Sequence, residues 1–432
     1  MMAIRRASLT GFVSLPTQSS NRHSLGYNTM VSTVTSYTDA RNKAVTGQGN
    51  DGVVMVSTGG GYYGTGVLLF GGQAILTAAH LFKNGTNNTS VTFETSAGKQ
   101  TLGASKVDVM SNYDSINLNN DLAIVWLKGH APVGAERYDL YRDANEIGQT
   151  MTMVGYGVPG TGASGVSSNY SAAPIRQIAS NKFDADAAAL KAKMGNYISW
   201  NPKAGTQLIA DFDDGTAAHD ALGSLLGIRD TGLGQKEGIL SAGDSGGPAF
   251  INGKIAGIAS SINSMYLNGA HPDVDNSLNS SYGEIGAWSR ISAYQETIDK
   301  AIRASYTDAP TKQSEVKTSV VEGNSGASNA YFLVQFNGTR SDPNKVVSLN
   351  FTTRDGTAKA GEDYLATKGT LNFYAGETQA VVAVEVLGDK KWEANETFYM
   401  DFTNPADASH GQNIIMTGMR TIVNDDGLFG WA

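Results

Sequence analysis

The chain has 432 residues, 41% of them hydrophobic, which is enough for two or three domains that each bury a core. Its 32 basic and 40 acidic residues give a formal net charge of −8 without a basic block, so the composition argues against a nucleic-acid partner. The absence of cysteine excludes disulfides, a thiolate nucleophile and cysteine-ligated zinc, and no apolar run approaches membrane-spanning length.

Residues 1–45 are predicted to be a leader or pro-segment. Arg5 and Arg6 precede a short apolar stretch that ends at Leu15 and resembles an export signal. Because serine and threonine interrupt that stretch, a polar leader without export function is the alternative interpretation.

From Gly52 onward, short β-branched runs alternate with glycine-containing turns, a pattern typical of an all-β sandwich or barrel. The predicted strands are Val53–Ser57, Gly66–Phe70, Gln73–Thr77, Ser90–Phe93, Leu122–Leu127 and Met151–Gly155. A helix is expected from Ile291 to Ile302, with Ser292 and Gln295 as its capping box. A second, alanine-rich helix is expected over residues 184–194.

His80 and Asp121 stand at the ends of two apolar strands. Small residues precede His80, so its strand can pack closely and present the imidazole to a cleft. Asp121 begins the run that continues to Val125, where its carboxylate could orient an imidazole. Taken separately, an isolated histidine is more often structural, and an aspartate that starts a strand is usually a cap or turn residue.

The hexapeptide Gly243–Pro248 places Ser245 between glycines. A serine hydroxyl is a poor nucleophile until a base takes its proton and donors hold the resulting oxyanion. The glycines allow a tight turn in which the amides of Gly243 and Ser245 point into one hollow. A glycine-rich turn without chemistry is the alternative, but the order His80, Asp121, Ser245 favours catalysis for all three.

Three strings together resemble the signature blocks of the chymotrypsin/trypsin-like serine proteases: Thr77–His80, Asn120–Ile124 and Gly243–Pro248. The resemblance covers residues 46–305 and implies two six-stranded antiparallel β-barrels with a C-terminal helix. It further implies that Ser245 is the nucleophile, His80 the general base and Asp121 its orienting partner, with an oxyanion hole formed by Gly243 and Ser245. The expected substrate is a protein or peptide, and no cofactor is expected for catalysis.

The chain departs from this family in several places. The family's disulfide positions hold Thr65, Leu81 and Ser241. No Ile-Val-Gly-Gly segment occurs near residues 39–45, so either Asp244 finds a partner other than a new amino terminus or activation follows another route.

The spacing between Asp121 and Ser245 also predicts expanded loops. The stretches Gln207–Gly215 and Gly232–Glu237 resemble a bacterial subgroup. In the first of them Asp211, Asp213 and Asp214 could bind a cation or form a plain acidic turn.

By the same resemblance, Ile239 lies at the floor of the pocket for the P1 residue, the one on the acyl side of the cleaved bond. Ser260 and Ile262 belong to the edge strand that pairs with substrate, and Gly286 forms the opposite wall. Isoleucine at the floor argues against basic P1 residues, and Ile262 should make the pocket shallow. Small or medium aliphatic P1 residues are therefore expected.

Residues 306–313 are predicted to be a linker, residues 314–427 a second domain and residues 428–432 a tail. Alternating runs in the second domain predict an immunoglobulin-like β-sandwich of about seven strands. Its strings Ser319–Gly323, Asp355–Tyr364, Asp389–Phe398 and Ile422–Gly427 resemble a Calx-β domain. That resemblance implies a calcium site whose ligand positions are Glu322, Asp363, Asp389, Glu393, Glu396, Asp425 and Asp426.

Two observations keep the calcium expectation open. Lys390 and Lys391 lie beside the ligand positions and oppose a second ion, and aspartate is common in turns without any metal. Without calcium, this domain would be an adhesive or spacer module that contacts a surface or matrix.

Two classes of function follow. The first is a secreted or cell-surface serine endopeptidase with an accessory sandwich. The alternative is a catalytically silent adhesion or binding protein on a protease scaffold, which only the missing activation segment favours.

Overall fold

The computed structural model describes residues 4–8, 31–59, 62–166, 174–266, 269, 271–406 and 413–427. The described residues form two compact units. The first extends to Leu69 and from Gln73 to Gln295, and the second comprises Phe70–Gly72 and the chain from Glu296 onward. Of the predicted leader, residues 1–3 and 9–30 lie outside the described residues, as does the predicted tail 428–432.

The described residues of the first unit form eighteen strands and two α-helices. Its strands are β1 (Ile4–Ser8), β2 (Ser32–Thr33), β3 (Val53–Ser57), β4 (Tyr63–Leu68), β5 (Ala74–Thr77), β6 (Ser90–Thr95), β7 (Gly98–Val109), β8 (Ala123–Leu127), β9 (Thr150–Gly155), β10 (Gly160–Thr161), β11 (Gly165–Val166), β12 (Gln177–Lys182), β13 (Ala185–Asp186), β14 (Gln207–Asp211), β15 (Gly238–Ile239), β16 (Pro248–Ile251), β17 (Lys254–Met265) and β18 (Ile285–Arg290). Its helices are α1 (Ala187–Met194) and α2 (Ala221–Leu226).

Strands β3 to β8 close into a six-stranded antiparallel barrel in the order β3-β4-β5-β8-β7-β6. Alternate residues of these strands fill its interior, among them Val54, Val56, Ile75, Phe93 and Val125. Burial of this apolar surface stabilises the barrel, which contains no cysteine and hence no disulfide.

A second barrel follows from the order β12-β9-β16-β17-β18-β14-β13, in which every pair is antiparallel. Only two residues separate β12 from β13, so one bent strand borders both ends of this sheet and six strands surround the core. Phe183, in that bend, packs edge-on against Trp288 with ring centroids 5.5 Å apart.

Two short features attach to the second barrel. Strand β1 pairs antiparallel with the free edge of β17, from Ile4 opposite Met265 to Ser8 opposite Ser261. Strands β11, β10, β2 and β15 form a small sheet of their own.

Helices α1 and α3 lie where helices were predicted and differ from the prediction in detail, whereas α2 was not predicted. Helix α1 starts at Ala187 because Asp186 caps it, its side chain accepting a hydrogen bond from the amide of Ala188. Helix α3 (Gln295–Ser305) begins later than predicted, after a 3₁₀ turn over Ile291–Ala293. The predicted capping box is wrong, because Ser292 lies within the 3₁₀ turn and the side chain of Gln295 donates to its carbonyl.

The second unit holds α3 and seven strands, as the alternating sequence pattern predicted. The strands are β19 (Ser319–Val321), β20 (Gly326–Gln335), β21 (Val347–Asp355), β22 (Lys368–Phe373), β23 (Gln379–Gly388), β24 (Glu396–Thr403) and β25 (Ile414–Val423). A five-stranded sheet, β19-β25-β24-β21-β22, and a two-stranded sheet, β20-β23, share one apolar core. Asp299 of α3 accepts a 2.6 Å hydrogen bond from the buried Tyr374 hydroxyl.

The predicted fold class is confirmed: two antiparallel barrels, a C-terminal helix after them, and an immunoglobulin-like sandwich. The predicted domain limits stay a prediction, although helix α3 groups with the second unit. None of the described helices is both long and apolar enough to cross a membrane.

Candidate active site

The barrel topology brings His80 and Asp121 together. Strands β5 and β8 are antiparallel neighbours with Thr77 opposite Ala123. The residues that follow β5 therefore lie beside those that precede β8. After β5, a 3₁₀ turn over Ala79–Phe82 carries His80 back toward Asp121.

Three hydrogen bonds fix the carboxylate of Asp121. Its Oδ1 accepts from the His80 backbone amide at 2.9 Å, and its Oδ2 lies 2.7 Å from His80 Nδ1. The Ser260 hydroxyl donates to the same Oδ2 at 2.6 Å. Because an ionised carboxylate only accepts hydrogen bonds, Nδ1 must carry a proton, and Nε2 of the neutral ring is left as an acceptor.

Ser245 completes a continuous line of hydrogen bonds. Its Oγ lies 2.8 Å from His80 Nε2. All three side chains are buried, with 0% of Asp121, 2% of His80 and 0% of Ser245 exposed. The line joins the two barrels, since His80 and Asp121 belong to the first and Ser245 precedes β16 of the second.

The turn around Ser245 requires glycine. Gly243 and Gly246 have φ angles of +101° and +83°, a region that other residues seldom adopt. Among the backbone hydrogen bonds of the described residues, the amides of Gly243 and Ser245 donate to no carbonyl. Both amides therefore remain available to an oxygen that arrives at Ser245 Oγ.

Thr65 holds this turn in place. Its hydroxyl donates to the carbonyl of Gly243 at 2.8 Å and accepts from the amide of Tyr156 at 3.0 Å, while its own amide donates to the carbonyl of Ser245 at 2.8 Å. In the sequence, this position stands out only as a cysteine position of the family that the chain resembles. Three hydrogen bonds of Thr65 thus connect β4 to the turn around Ser245 and to Tyr156.

Asp244 has partners other than an amino terminus. Its Oδ1 accepts from the amide of Gly157 at 2.9 Å, and its Oδ2 accepts from the amide and hydroxyl of Ser241 at 2.8 and 3.2 Å. Gly157 is needed here, because a Cβ at that position would come within 2.3 Å of Asp244 Oδ2. Complete burial raises the pKa of Asp244 to about 7, against the lowering by these donors.

The predicted pocket residues lie near one another. In the pairing of β17 with β18, Ile262 stands opposite Gly286. A Cβ on Gly286 would lie 3.3 Å from Ile239 Cγ1 and 2.6 Å from the ring of Trp288. Ile239 is fully buried, and 6% of Ile262 is exposed. Trp288 is a wall residue that the sequence reasoning missed, and its place two residues after Gly286 on β18 is the signal that could have found it.

The acidic positions of the second unit gather at one end of the sandwich. Carboxylate oxygens of Asp363, Glu393 and Glu396 lie within 4.8 Å of one another. Burial and then the charges of Asp389, Glu393, Asp426 and Asp363 raise the pKa of Glu322 to about 7. The pKa of Glu396 is also raised to about 7, by burial and by its hydrogen bond with Asp363.

Some of the predicted calcium ligands already accept hydrogen bonds or form ion pairs within the protein. Asp425 Oδ1 accepts from the amide of Gly323 at 2.9 Å, Asp389 Oδ1 accepts from the amide of Lys391 at 2.6 Å, and Glu393 pairs with the Lys391 ammonium. Asp426 Oδ2 is buried without a hydrogen-bond partner among the described residues. Mutually repelling carboxylates and an unpartnered oxygen fit a hard cation better than a closed hydrogen-bond network.

The three aspartates of the acidic stretch in the first unit, Asp211, Asp213 and Asp214, do not share one site. Asp211 and Asp213 meet Asp220, whereas Asp214 turns away and pairs with His219 Nδ1 at 2.6 Å. Asp220 was not singled out in the sequence. It lies seven residues beyond Asp213, after a turn whose direction no local pattern discloses.

Comparison with known proteins agrees with this architecture. Residues 41–240 match the family model described as Trypsin, and residues 308–427 match the model of the Calx-beta domain. The chain therefore contains a trypsin-like serine protease domain. A Calx-β domain follows it.

Two curated relatives are sodium/calcium exchangers. The Drosophila melanogaster sodium/calcium exchanger Calx is 34% identical over 97 residues, which is 22% of this chain and 10% of the exchanger. Sodium/calcium exchanger 1 of Canis lupus familiaris is 41% identical over 63 residues, 15% of this chain and 6% of that protein. The chain thus spans a tenth or less of the length of these relatives.

Among solved structures, a match is neuropsin, a serine protease expressed in the limbic system of mouse brain. It is 18% identical, with a TM-score of 0.43, and the match covers 60% of this chain and 98% of that one.

Proposed function

We propose that the protein is a serine endopeptidase that cleaves peptide bonds through an acyl-enzyme on Ser245. The observation that carries this proposal is the buried line from Asp121 through His80 to Ser245, with contacts of 2.7 and 2.8 Å. A hydroxyl, a base and an orienting carboxylate in this order are what acyl transfer to serine requires.

In the proposed reaction, Ser245 Oγ attacks the substrate carbonyl while His80 Nε2 takes its proton. The amides of Gly243 and Ser245 donate to the oxyanion, each such donor contributing about 3 kcal/mol to transition-state stabilisation. Breakdown of the tetrahedral intermediate breaks the C–N bond, and His80 returns the proton to the leaving amine. Water, deprotonated by His80, then attacks the acyl-enzyme and releases the acid product. Asp121 stays ionised and stabilises the imidazolium.

The substrate is proposed to pair with β17 along the edge that β16 leaves uncovered. The pairing of β17 with β16 ends at Ile258, so the backbone from Ser260 to Met265 faces outward on that side. Strand β1 of the same chain pairs with residues 261–265 in antiparallel register, which supports an extended peptide as the occupant of this edge. Ser260 also donates to Asp121, so this edge leads directly to the reacting residues.

We further propose that the P1 pocket takes small or medium aliphatic side chains. Ile239, Ile262 and Trp288 surround Gly286 with apolar surface. Among these wall residues there is no carboxylate that could meet a basic side chain. An apolar wall and limited depth favour residues of the size of alanine or valine.

The second unit is proposed to bind one calcium ion through Asp363, Glu393 and Glu396, with Glu322 and Asp426 close by. Calcium prefers six to eight oxygen ligands, and carboxylates are its usual protein donors. A secreted or cell-surface location, where calcium is plentiful, and contact with a surface or matrix through this domain belong to the same proposal.

The proposal is tested by digestion of an unfolded protein substrate and mass spectrometric mapping of the new termini. The full chain should produce cleavage after alanine, valine and similar residues, and Ser245→Ala should produce none. Cleavage mainly after arginine or lysine would refute the pocket assignment alone, whereas equal cleavage by Ser245→Ala would refute the proposed mechanism.

A further inference from the structure

A second group of carboxylates lies inside the protease domain, around the carboxyl end of β14. It draws on β14 and on residues brought from the β12–β13 bend, the start of α2 and the segment before β15. Its members are Asp184, Asp211, Asp213, Asp220 and Glu237, each at most 9% exposed. Five acidic side chains buried together are costly unless protons or cations neutralise them.

Three of these side chains have a geometry suited to one ion. Carboxylate oxygens of Asp211, Asp213 and Asp220 all lie within 4.8 Å of one another. Calcium–oxygen distances are about 2.3–2.6 Å, so oxygens on opposite sides of one ion are about 5 Å apart. A single ion can therefore contact all three carboxylates without rearrangement of the backbone.

An unpartnered oxygen points to the same place. Asp213 is 4% exposed, and its Oδ1 has no hydrogen-bond partner among the described residues. Asp184 is 9% exposed, and its Oδ1 likewise lacks a hydrogen bond. By contrast, Asp211 Oδ2 accepts from the amide of Leu222 at 2.6 Å, and Asp220 Oδ1 from that of Gly223 at 2.5 Å. The backbone thus holds two of the carboxylates while the third has an oxygen with nothing to accept.

The surrounding positive charges do not neutralise the group. Lys182 pairs with Asp230, and its ammonium is 3.9 Å from Asp184 Oδ1. Lys182 therefore lies at the Asp184 edge of the group and is shared with Asp230, whereas Asp213 faces the carboxylates of Asp211 and Asp220.

We infer that Asp211, Asp213 and Asp220 bind one calcium ion in the protease domain. The donors are all oxygen, which suits a hard divalent cation and not zinc or copper. Asp184 lies next to Asp211, and Glu237 accepts from the amide of Asp213 at 2.8 Å. The ion would therefore hold together the end of β14, the start of α2 and the segment that leads to Ile239.

The experiment uses the full chain carrying Ser245→Ala, which prevents self-digestion, and Asp363→Asn, Glu393→Gln and Glu396→Gln, which remove the candidate site of the second unit. After treatment with EDTA, calcium is titrated by calorimetry, and melting is recorded in EDTA and in calcium. Asp213→Asn is the test variant. Asp214→Asn is the matched control, because this neighbouring carboxylate pairs with His219 and lies outside the group.

We expect one calcium per chain in the parent and in Asp214→Asn and none in Asp213→Asn. At a hundredfold excess of calcium over its dissociation constant, the transition of the protease domain should rise by roughly 5–10 °C. In EDTA, Asp213→Asn should melt at or above the parent temperature, because it removes a repelling charge. In calcium it should melt below the parent.

Three results would overturn the inference. The first is a parent chain that binds no calcium, and the second is an Asp213→Asn chain that still binds it. The third is a melting temperature of Asp213→Asn that lies below that of the parent by the same amount in EDTA and in calcium. That result would show that Asp213 serves only a hydrogen-bond network.

Discussion

The protease domain buries carboxylates in two different ways. Around Ser245, each buried carboxylate faces donors: Asp121 receives a backbone amide, an imidazole and a hydroxyl, and Asp244 receives two amides and a hydroxyl. Around the end of β14, Asp213 faces mainly other carboxylates. Donors built into the fold hold a carboxylate in a fixed position, whereas a group of like charges needs a partner from solution.

The largest expected effect comes from removing the charge at Asp121. Asp121→Asn should lower kcat by about 10⁴-fold with little change in KM, because an amide can no longer fix the Nδ1–H tautomer of His80. Hydrolysis of a chromogenic peptide with alanine at P1 measures both constants.

The same exchange at Asp213 is the matched control. Since Asp213 lies outside the line to Ser245, Asp213→Asn should keep kcat within about threefold of the parent when calcium is present. If the two exchanges had equal effects on kcat, the proposed difference between the two carboxylate regions would be wrong.

Asp244→Asn should lower kcat by about 10²-fold. One of the amide donors that now faces Asp244 would then face the Nδ2 donor of asparagine, and the turn that carries the Gly243 amide would shift. The kinetic assay that serves for Asp121→Asn measures this loss.

Asp244 should also leave a signature in the pH dependence of stability. Its pKa in the folded chain is about 7, above the value of about 3.9 for aspartate in an unfolded chain. The folded chain therefore binds a proton that the unfolded chain releases, so its contribution to stability is complete below about pH 4 and is lost as the pH rises through about 7. Melting temperatures are measured between pH 4 and 8 for Ser245→Ala and for Ser245→Ala combined with Asp244→Asn. They should fall more steeply with rising pH in the first chain, which retains Asp244. Equal slopes in Asp244→Asn would contradict the assignment.

Thr65→Val should lower kcat by about tenfold and the melting temperature by several degrees. The valine keeps the shape but leaves the Gly243 carbonyl and the Tyr156 amide without partners, at about 1–3 kcal/mol for each buried group. Thr92→Val is the control, since the Thr92 hydroxyl bonds to the Thr101 hydroxyl between β6 and β7 of the first barrel, far from Ser245 in the chain. A similar loss of kcat in both variants would show a general loss of stability.

The smallest effect concerns strand β1. If its pairing competes with substrate for β17, Arg5→Pro with Arg6→Pro should lower KM by about fivefold and leave kcat unchanged, because proline cannot donate to a neighbouring strand. Two adjacent prolines are needed because only alternate residues of an antiparallel strand bond to a given neighbour. The matched pair Arg5→Ala and Arg6→Ala, which keeps both amides, should retain the parent KM. Equal KM values in all three chains would exclude competition.

The sequence predicted those features that depend on local strings or on strand pairing. His80, Asp121 and Ser245 stand in short motifs at strand ends, and antiparallel pairing of β5 with β8 makes the first two neighbours. The seven strands of the sandwich followed from strict alternation. Register likewise explains why Ile262 and Gly286 meet.

Features that depend on the path of loops escaped prediction. Asp213 and Asp214 are adjacent, but a turn in which Asp214 accepts from the amide of Thr216 directs them to different partners. Asp184 and Asp220 reach the same place from separate elements. The partners of Asp244 are mostly backbone amides, which no residue pattern marks. The strand formed by Ile4–Ser8 was missed because a polar leader carries no sign of its partner.

The central claim is that His80 activates Ser245, and covalent labelling tests it most directly. Incubation of the full chain with a fluorophosphonate probe should add one adduct, which peptide mapping should place on Ser245. Labelling should be absent in Ser245→Ala and slowed by at least 10³-fold in His80→Ala. An unlabelled full chain, or labelling that His80→Ala leaves unchanged, would contradict the account.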